Sequence, residues 1–455
     1  MKKRKFRLFD AILAMTCIIM GTESCPSASA IGNSQYFWWI FLLIFFFLPY
    51  GLVSAELGTT YWEESGIYYW VKRAFGPKWA SRSAYYCWIN FPIWIASCAV
   101  AVSGALQLIL GTTFTVPIKL LIEIGFSILV CVLGVFEISK HKVIINIGTI
   151  FKMVLLIGLG ALGVYTAITK GSATQFTLES FAPTLSLKSL NYVSVILFCF
   201  IGFEIVATFR KQVTNPRQQF PIIVVVSGVL IALSYLLCSF GINVAIPVEK
   251  LSLDTGVIDA FSILLNGNQF IIKIIAILFI VTVFVSVLSW AEGTYLQCIE
   301  ASKDHGMPKI FKYEKKGLNI GSSAATLLVA VVIILCEPFF SGDVFWKFFA
   351  LNIVTLLLTY LPMFLAFKKL RSKDRLAIRP YKVPGNNLFI NLITYIPTII
   401  MIIAIILTLL PQKLVKPEFI ANIPLYIGTL ISIIIGELFV KNTEKWKALW
   451  TFFFI

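Results

Sequence analysis

The chain has 455 residues, of which 58% are hydrophobic and only 13% are charged, whereas an average soluble domain has roughly 25% charged residues. This composition excludes an ordinary soluble globular protein. The formal net charge of +16 could favour a nucleic-acid partner, but the lysines and arginines cluster in alternate loops between apolar segments, as in membrane proteins. We therefore expect a chain embedded in the lipid bilayer, with no nucleic-acid partner.

Apolar segments of about twenty residues recur along the chain, and each is long enough to cross a bilayer as a helix. They predict an all-α polytopic fold with twelve transmembrane helices, at residues 8–32, 36–58, 83–111, 116–137, 143–168, 189–210, 218–245, 269–300, 318–338, 345–367, 387–411 and 420–440. No connecting stretch is long enough for a soluble domain. We expect residues 1–455 to form one transmembrane transporter domain.

The basic residues predict the orientation of the chain. Most of the 38 lysines and arginines lie in the N-terminal arm, in the loops after the even-numbered helices and in the C-terminal tail. The positive-inside rule makes these segments cytoplasmic, so we expect a multi-pass protein of the cell (plasma) membrane with both termini in the cytoplasm. Residues 56–70 suit an interfacial helix or an amphipathic loop, and residues 247–268 suit a short gating helix or a simple connector.

Two glycine–x–glutamate triplets interrupt predicted helices: Gly21-Thr22-Glu23 in the first and Gly202-Phe203-Glu204 in the sixth. Glycine lets the backbone leave helical geometry, and Pro26 cannot donate a backbone hydrogen bond. A carboxylate at mid-membrane is costly, and irregular backbone is tolerated there only where it faces protein or a water-filled cavity. Two such breaks in corresponding helices point to the binding site of a transporter.

The spacing of the breaks also predicts a repeat. If helices 1–5 form one unit, helices 6–10 form a second unit of opposite orientation, because five is odd. We expect two inverted five-helix repeats at about residues 8–168 and 189–367, with helices 11 and 12, at about residues 387–440, appended.

The exposed N–H groups of a broken helix carry partial positive charge and its exposed carbonyls partial negative charge. A zwitterionic amino acid matches both ends. We therefore predict substrate contacts near the two breaks and from one tryptophan of helix 8: Gly21, Thr22, Glu23, Ser24, Cys199, Phe200, Ile201, Gly202, Phe203 and Trp290. The helix 3 run Trp88–Trp94 could also line the cavity.

Three charged residues within predicted helices are candidates for gating or coupling. We expect a structural or gating role for Glu204 and a substrate-adjacent or proton-linked role for Glu23. Lys152 lies about ten residues into helix 5, where an interior position is expected of a charged side chain. Its ammonium could occupy the place of a sodium ion or release a proton during transport.

The sequence gives no sign of catalysis, metal binding or a cofactor. The two histidines, His141 and His305, fall in loops, and the chain has no metalloprotease, nucleophile-elbow or phosphate-loop motif. The nine cysteines lie in or beside apolar segments without metal-ligand spacing, and we expect them to be packing residues rather than disulfides. We expect a protein that is not an enzyme.

Several motifs together resemble the amino acid–polyamine–organocation superfamily of permeases, over nearly the whole chain. They are Glu23-Ser24-Cys25-Pro26-Ser27, Glu63–Val71, Ile201–Glu204 followed by Asn215-Pro216-Arg217, Ser289-Trp290, and Arg379–Gly385. Within it, the chain is most similar to bacterial antiporters of the glutamate/γ-aminobutyrate type. The resemblance implies a LeuT-like fold and transport of amino acids or related amines by alternating access.

The resemblance also implies that Lys152 stands where sodium binds in other members, and hence sodium-independent antiport or proton-coupled symport. One departure concerns the first break, which reads Gly21-Thr22-Glu23-Ser24 where many members have a Gly-Ser-Gly pattern. A substrate-sensing receptor with a transporter fold is the alternative function. The sequence leaves open the substrate, the coupling mode, the pH dependence and whether the protein is a monomer or a homodimer.

Overall fold

A computed structural model of the protein describes residues 8–61, 66–136, 138–204, 216–315 and 317–453. Within these ranges the chain is helical, and one isolated β-bridge between Lys315 and Leu318 is the sole strand-type pairing. Seventeen α-helices form. They are α1 (Leu8–Ile19), α2 (Cys25–Ser29), α3 (Gln35–Leu42), α4 (Leu48–Thr60), α5 (Ile67–Phe75), α6 (Pro77–Leu110), α7 (Val116–Gly134), α8 (Ile138–Thr169), α9 (Leu187–Phe200), α10 (Pro216–Ala245), α11 (Gly256–Leu264), α12 (Gln269–Lys303), α13 (Ile320–Leu335), α14 (Val344–Lys373), α15 (Asn387–Leu409), α16 (Lys416–Ala421) and α17 (Ile423–Phe453).

Ten helical spans among the described residues are long and apolar enough to cross a membrane. The first and sixth predicted helices are not among them, because both are interrupted: α1 ends at Ile19 and α9 ends at Phe200. The end of the predicted sixth helix, residues 205–210, lies outside the described residues. The count of twelve spans and the repeat arrangement therefore stay predictions.

Several helices extend beyond the bounds that hydropathy gave. α6 begins at Pro77 rather than 83, α14 continues to Lys373 rather than 367, and α17 runs to Phe453 rather than 440. These extensions carry charged residues, which mark the end of an apolar segment but do not end a helix. The second predicted helix is α3 and α4 joined by a π-helical turn at Leu43–Phe47.

Helices α8 and α10 approach each other closely because small residues face each other. A Cβ at Gly163 would lie 2.5 Å from the Cα of Gly241, and a Cβ at Gly241 would lie 2.3 Å from the carbonyl oxygen of Leu159. Small residues at helix crossings are a common packing device in membranes. The crossing fixes α10 against α8, the helices that carry Tyr235 and Lys152.

One end of the bundle carries Arg371 and Arg379, which form ion pairs with Glu56. We call this end the basic face. The carboxylate of Glu56 is 2% exposed and accepts hydrogen bonds from Arg371 (2.9 and 2.8 Å) and from the backbone N–H of Val383 (2.7 Å), while Arg379 lies 3.2 Å away. The Arg379–Gly385 motif thus folds back onto α4.

Two segments of uncertain structure in the sequence turn out to be helical. Within residues 56–70, α5 starts at Ile67, and Lys72 at its end pairs with Asp304 at 2.5 Å; Trp62–Ser65 lie outside the described residues. The segment 247–268 contains α11, whose first residue, Gly256, packs against Pro26 of α2. A gating role for α11 stays a prediction.

Candidate substrate site

The first helix break occurs at Met20 and Gly21, between α1 and a short 3-10 turn at Thr22–Ser24. Tyr235 of α10 braces it: the N–H of Gly21 donates to the phenol oxygen at 2.8 Å, and this oxygen lies 3.0 Å from the Gly21 carbonyl oxygen. The hydroxyl of Ser24 also donates to that carbonyl, at 2.9 Å. The freed backbone groups are therefore satisfied by side chains, as a buried break requires.

Gly21 is needed for space rather than for backbone freedom. Its φ of −117° and ψ of 126° are open to any residue. A Cβ at this position, however, would lie 2.4 Å from Oε1 and 2.9 Å from Oε2 of Glu23. The carboxylate of Glu23 thus occupies the space over Gly21, which explains the glycine–x–glutamate spacing at this break.

The second break, at Ile201 and Gly202, follows α9 and is braced by Tyr50 of α4. The phenol oxygen of Tyr50 accepts the N–H groups of Gly202 (3.0 Å) and Phe203 (2.9 Å) and donates to Oε2 of Glu204 (2.5 Å). Tyr360 donates to Oε1 of Glu204, also at 2.5 Å. Both oxygens of this carboxylate are therefore occupied.

Gly202 is needed for backbone conformation. Its φ of +122° lies in a region that other residues rarely adopt. A Cβ here would also meet Cζ2 of Trp290 at 2.9 Å and Cγ1 of Ile19 at 3.3 Å. The glycine therefore lets the second break pass close to α12 and α1.

A cavity lies between the two breaks. Its walls come from α1, α6, α9, α12 and α14 as well as from both breaks, through Ile19, Met20, Gly21, Glu23, Asn90, Trp94, Phe198, Ile201, Ser286, Trp290 and Leu356. The void measures about 20 Å³, room for about one water molecule. The void is too small for an amino acid or an amine, and a ligand of that size would have to displace side chains.

Glu23 is the acidic residue of this wall. It is fully buried, and neither carboxylate oxygen makes a hydrogen bond of normal geometry within the described part of the chain. The indole N–H of Trp94 approaches it but likewise lacks a partner. The positive charge that acts on Glu23 belongs to Lys152, whose side chain is buried at 1% exposure. A buried carboxylate without a hydrogen-bond partner is costly.

Four of the predicted contact residues line the cavity: Gly21, Glu23, Ile201 and Trp290. The other six lie behind the wall. Thr22 bonds to Thr282 at 2.8 Å, and Cys199 donates to Ser24 at 3.4 Å. Phe200 and Phe203 pack on Phe47, with ring centroids 4.9 and 4.8 Å apart. Substrate contact by any of the ten stays a prediction.

The other predicted positions divide in the same way. Of the helix 3 run, Asn90 and Trp94 reach the cavity, whereas Trp88 donates its indole N–H to Thr326 at 3.1 Å. Lys152 and Glu204 lie outside the wall. Among the described residues, no group of three or more His, Cys, Asp or Glu side chains could hold a metal ion.

Sequence reasoning missed the three tyrosines that brace the breaks, Tyr50, Tyr235 and Tyr360. It also missed Phe198, Ser286 and Leu356 of the cavity wall. For the tyrosines a weak signal was present in the sequence, because a tyrosine in the middle of an apolar span needs a hydrogen-bond partner for its hydroxyl. Nothing in the sequence, however, indicated which backbone groups would supply it.

Comparison with solved structures places the chain in a known fold. It is similar to MhsT, as seen in a crystal structure with L-phenylalanine, with a TM-score of 0.62 and 15% identity. The match covers 89% of this chain and 100% of that chain. This likeness concerns the fold and supports the LeuT-like architecture predicted from the sequence.

Comparison with known sequences identifies the family. The chain is 40% identical to the probable agmatine/putrescine antiporter AguD of Lactococcus lactis subsp. lactis (strain IL1403), across 97% of this chain and 95% of that protein. It is 22% identical to the glutamate/gamma-aminobutyrate antiporter of the same strain, across 90% and 85%. The family model described as amino acid permease matches residues 6–433. The chain belongs to the amino acid permease family.

Proposed function

We propose that this protein is a secondary active transporter that exchanges small organic amines across the plasma membrane by alternating access. Its family membership supports transport of an amino acid or amine. The observation that carries the narrower proposal is the carboxylate of Glu23, buried in the cavity wall without a hydrogen bond of normal geometry. A cationic amine would supply both the opposite charge and the N–H donors that this carboxylate lacks.

The backbone of the breaks favours a substrate that has no carboxylate. The amides expected to receive a carboxylate are already bound to phenol oxygens: Gly21 to Tyr235, and Gly202 and Phe203 to Tyr50. No lysine or arginine occurs among the described residues of the cavity wall. A glutamate substrate would therefore add a second negative charge beside Glu23, whose counter-charge, Lys152, lies outside the wall, whereas a diamine or a guanidino amine would be attracted.

The rest of the wall suits a cation with a hydrocarbon chain. The rings of Trp94 and Trp290 are 6.1 Å apart in an edge-to-face arrangement, and Phe198 lies 6.1 Å from Trp94. Aromatic faces attract ammonium and guanidinium groups and pack against methylene groups. The name of the relative AguD, an agmatine/putrescine antiporter, agrees with this substrate class.

We further propose that transport is independent of sodium, with Lys152 as the resident cation. Its buried ammonium acts on Glu23, and α8 packs against the turn that contains Glu23. A fixed positive charge there would repel a sodium ion and would partly offset the carboxylate when no substrate is bound. Whether Lys152 or Glu23 also exchanges a proton is the open choice between strict antiport and proton coupling.

The two breaks support the predicted inverted repeat. The first break is braced by Tyr235 of α10, in the seventh predicted helix. The second is braced by Tyr50 of α4, in the second predicted helix. Such reciprocal bracing is expected if residues 8–168 and 189–367 are related by a two-fold axis. We also propose that the basic face lies in the cytoplasm. Glu204, with its partners Tyr50 and Tyr360, is proposed to gate the site.

The test is exchange in proteoliposomes loaded with putrescine. We expect uptake of radiolabelled putrescine or agmatine that requires the internal counter-substrate, persists when sodium is replaced by choline, and is not inhibited by glutamate. Uptake into empty vesicles driven by a pH gradient would favour proton coupling instead. Binding of amines in a thermal-shift assay without flux would favour the sensing receptor. The proposal fails if amines neither bind nor move.

A further inference from the structure

A second cluster of charged residues lies away from the substrate cavity, at the end of the bundle opposite the basic face. Lys119 and Glu123 lie one turn apart near the start of α7, and Glu337 lies in the turn that follows α13. Ser103 of α6 completes the cluster. Neither the transport mechanism proposed above nor the family resemblance uses these residues.

Both carboxylates are buried, with Glu123 at 0% and Glu337 at 6% exposure. The ammonium of Lys119 is hydrogen-bonded to Oε1 of Glu337 and lies 3.8 Å from Oε1 of Glu123. The hydroxyl of Ser103 donates to the same oxygen of Glu123, at 2.9 Å. One lysine thus serves two buried acids.

The charges and donors of this cluster do not balance. Two carboxylates and one ammonium leave one negative charge uncompensated, which is costly in a buried setting. In addition, Oε2 of Glu123 and Oε2 of Glu337 are both buried without a hydrogen-bond partner in the described part of the chain. The two carboxyl groups nevertheless lie close enough to act on each other directly. Neighbouring carboxylates in such a position hold one proton between them.

We propose that Glu123 and Glu337 form a binding site for one proton, separate from the substrate cavity, with Lys119 as the fixed counter-charge. The proton would neutralise the remaining charge and supply a hydrogen-bond donor to this pair, in which both Oε2 atoms lack one. It would thereby join α7 to the turn after α13. Loss of the proton would leave two carboxylates repelling each other around one ammonium and would loosen this joint.

Other charged groups near the pair have to be separated from it in any test. Glu337 and Lys119 act on Glu123. Lys119 also acts on Asp343, which precedes α14 and is in turn influenced by Asp254 and Lys347. Burial raises the pKa of Asp343, so among these neighbours it is the acid whose protonated form could give a similar signal. Asp343→Asn is therefore the matched control.

The test is infrared spectroscopy of the purified protein in lipid nanodiscs, read at the carbonyl band of a protonated carboxylic acid. We expect a band at neutral pH that disappears as the pH rises. It should also be lost in Glu123→Gln and in Glu337→Gln, because the remaining acid then pairs with Lys119 as a carboxylate. Asp343→Asn should keep it. Two variants are used so that misfolding of one leaves the other informative.

Thermal unfolding gives an independent reading. Since the shared proton would join α7 to the turn after α13, its stabilising contribution is present at low pH and is lost as the pH rises through the titration of the band. We expect the melting temperature of the wild type to fall over this pH range, and that of Glu123→Gln to depend less on pH. No band in the wild type at any pH, or a band unchanged in both variants, would overturn the proposal. So would removal of the band by calcium at constant pH, which would indicate a metal site.

Discussion

The two helix breaks differ in how they treat the same pair of residues, a glycine and a glutamate two positions later. At the first break, Gly21 has ordinary backbone angles, and Glu23 lies over it without a hydrogen bond of normal geometry. At the second, Gly202 has a φ of +122°, and both oxygens of Glu204 accept tyrosine hydroxyls. Similar sequence motifs therefore produce one buried carboxylate without hydrogen bonds of normal geometry and one carboxylate held by two tyrosines.

This difference indicates where binding free energy is available. A carboxylate that already has two donors gains little from a ligand, because the ligand must displace those donors first. A buried carboxylate without partners gains both charge neutralisation and hydrogen bonds. This supports the proposal that a cationic substrate binds at the first break, and it suits the second break to holding the bundle in register.

The largest expected effect follows from removing the charge at the first break. Glu23→Gln should weaken amine binding by at least about 30-fold, since the loss of one partner of a buried charge pair costs about 2–5 kcal/mol. Isothermal titration with putrescine and exchange in proteoliposomes measure this. Glu179→Gln, at an exposed turn, is the matched control and should behave as wild type. Normal exchange by Glu23→Gln would show that this carboxylate does not bind the substrate.

Substitution of the two glycines tests the difference between the breaks a second time. Gly202→Ala forces a side chain into a conformation that costs about 1–3 kcal/mol and into contact with Trp290, so it should lower the melting temperature clearly. Gly21→Ala has no backbone penalty, but its methyl group would displace the Glu23 carboxylate. We expect near-normal stability with weakened amine binding. Equal loss of stability in both variants would contradict the distinct reasons given for the two glycines.

The sequence was most informative where a residue is unusual for an apolar membrane-spanning helix. Apolar length identified most helices, and glycine, proline and glutamate in mid-span identified both breaks. Hydropathy could not find the charged extensions of α6, α14 and α17, since it measures the fit to lipid rather than helix formation. It also could not assign the roles of the glycines, because the space over Gly21 and the positive φ of Gly202 depend on how the folded chain packs.

The tyrosines lay beyond the reach of the sequence for a related reason. Tyr50 and Tyr235 bond to backbone groups more than 150 residues away in the chain, and no local pattern encodes such a partner. Lys152 shows the opposite case: a charge deep in a predicted helix is expected to face the interior, and the structure buries it. Single polar residues in a span predict burial better than they predict partners.

The braces lead to the third prediction. Tyr50→Phe leaves the N–H groups of Gly202 and Phe203 and one oxygen of Glu204 without their partner, at about 1–3 kcal/mol for each buried group. Tyr235→Phe chiefly leaves the N–H of Gly21 without a hydrogen-bond partner, because the Gly21 carbonyl still accepts the hydroxyl of Ser24. Thermal unfolding in detergent should therefore show a larger drop for Tyr50→Phe. The reverse order would mean that the first break depends more on its brace than the contacts indicate.

The smallest effect is expected from Glu204→Gln. The amide oxygen of glutamine can still accept a hydrogen bond from the hydroxyl of Tyr50. The Tyr50 oxygen itself already accepts the N–H groups of Gly202 and Phe203, so it cannot accept a further donor. Tyr360 must then rotate so that its oxygen accepts the amide N–H₂, and a rotation of one hydroxyl costs little. Stability should be close to that of the wild type, and the half-saturating amine concentration should not change because Glu204 lies outside the cavity wall. The exchange rate should fall several-fold if the charged joint gates the site. A loss of amine binding as large as that in Glu23→Gln would show that the two glutamates share one role, and the contrast between the breaks would not stand.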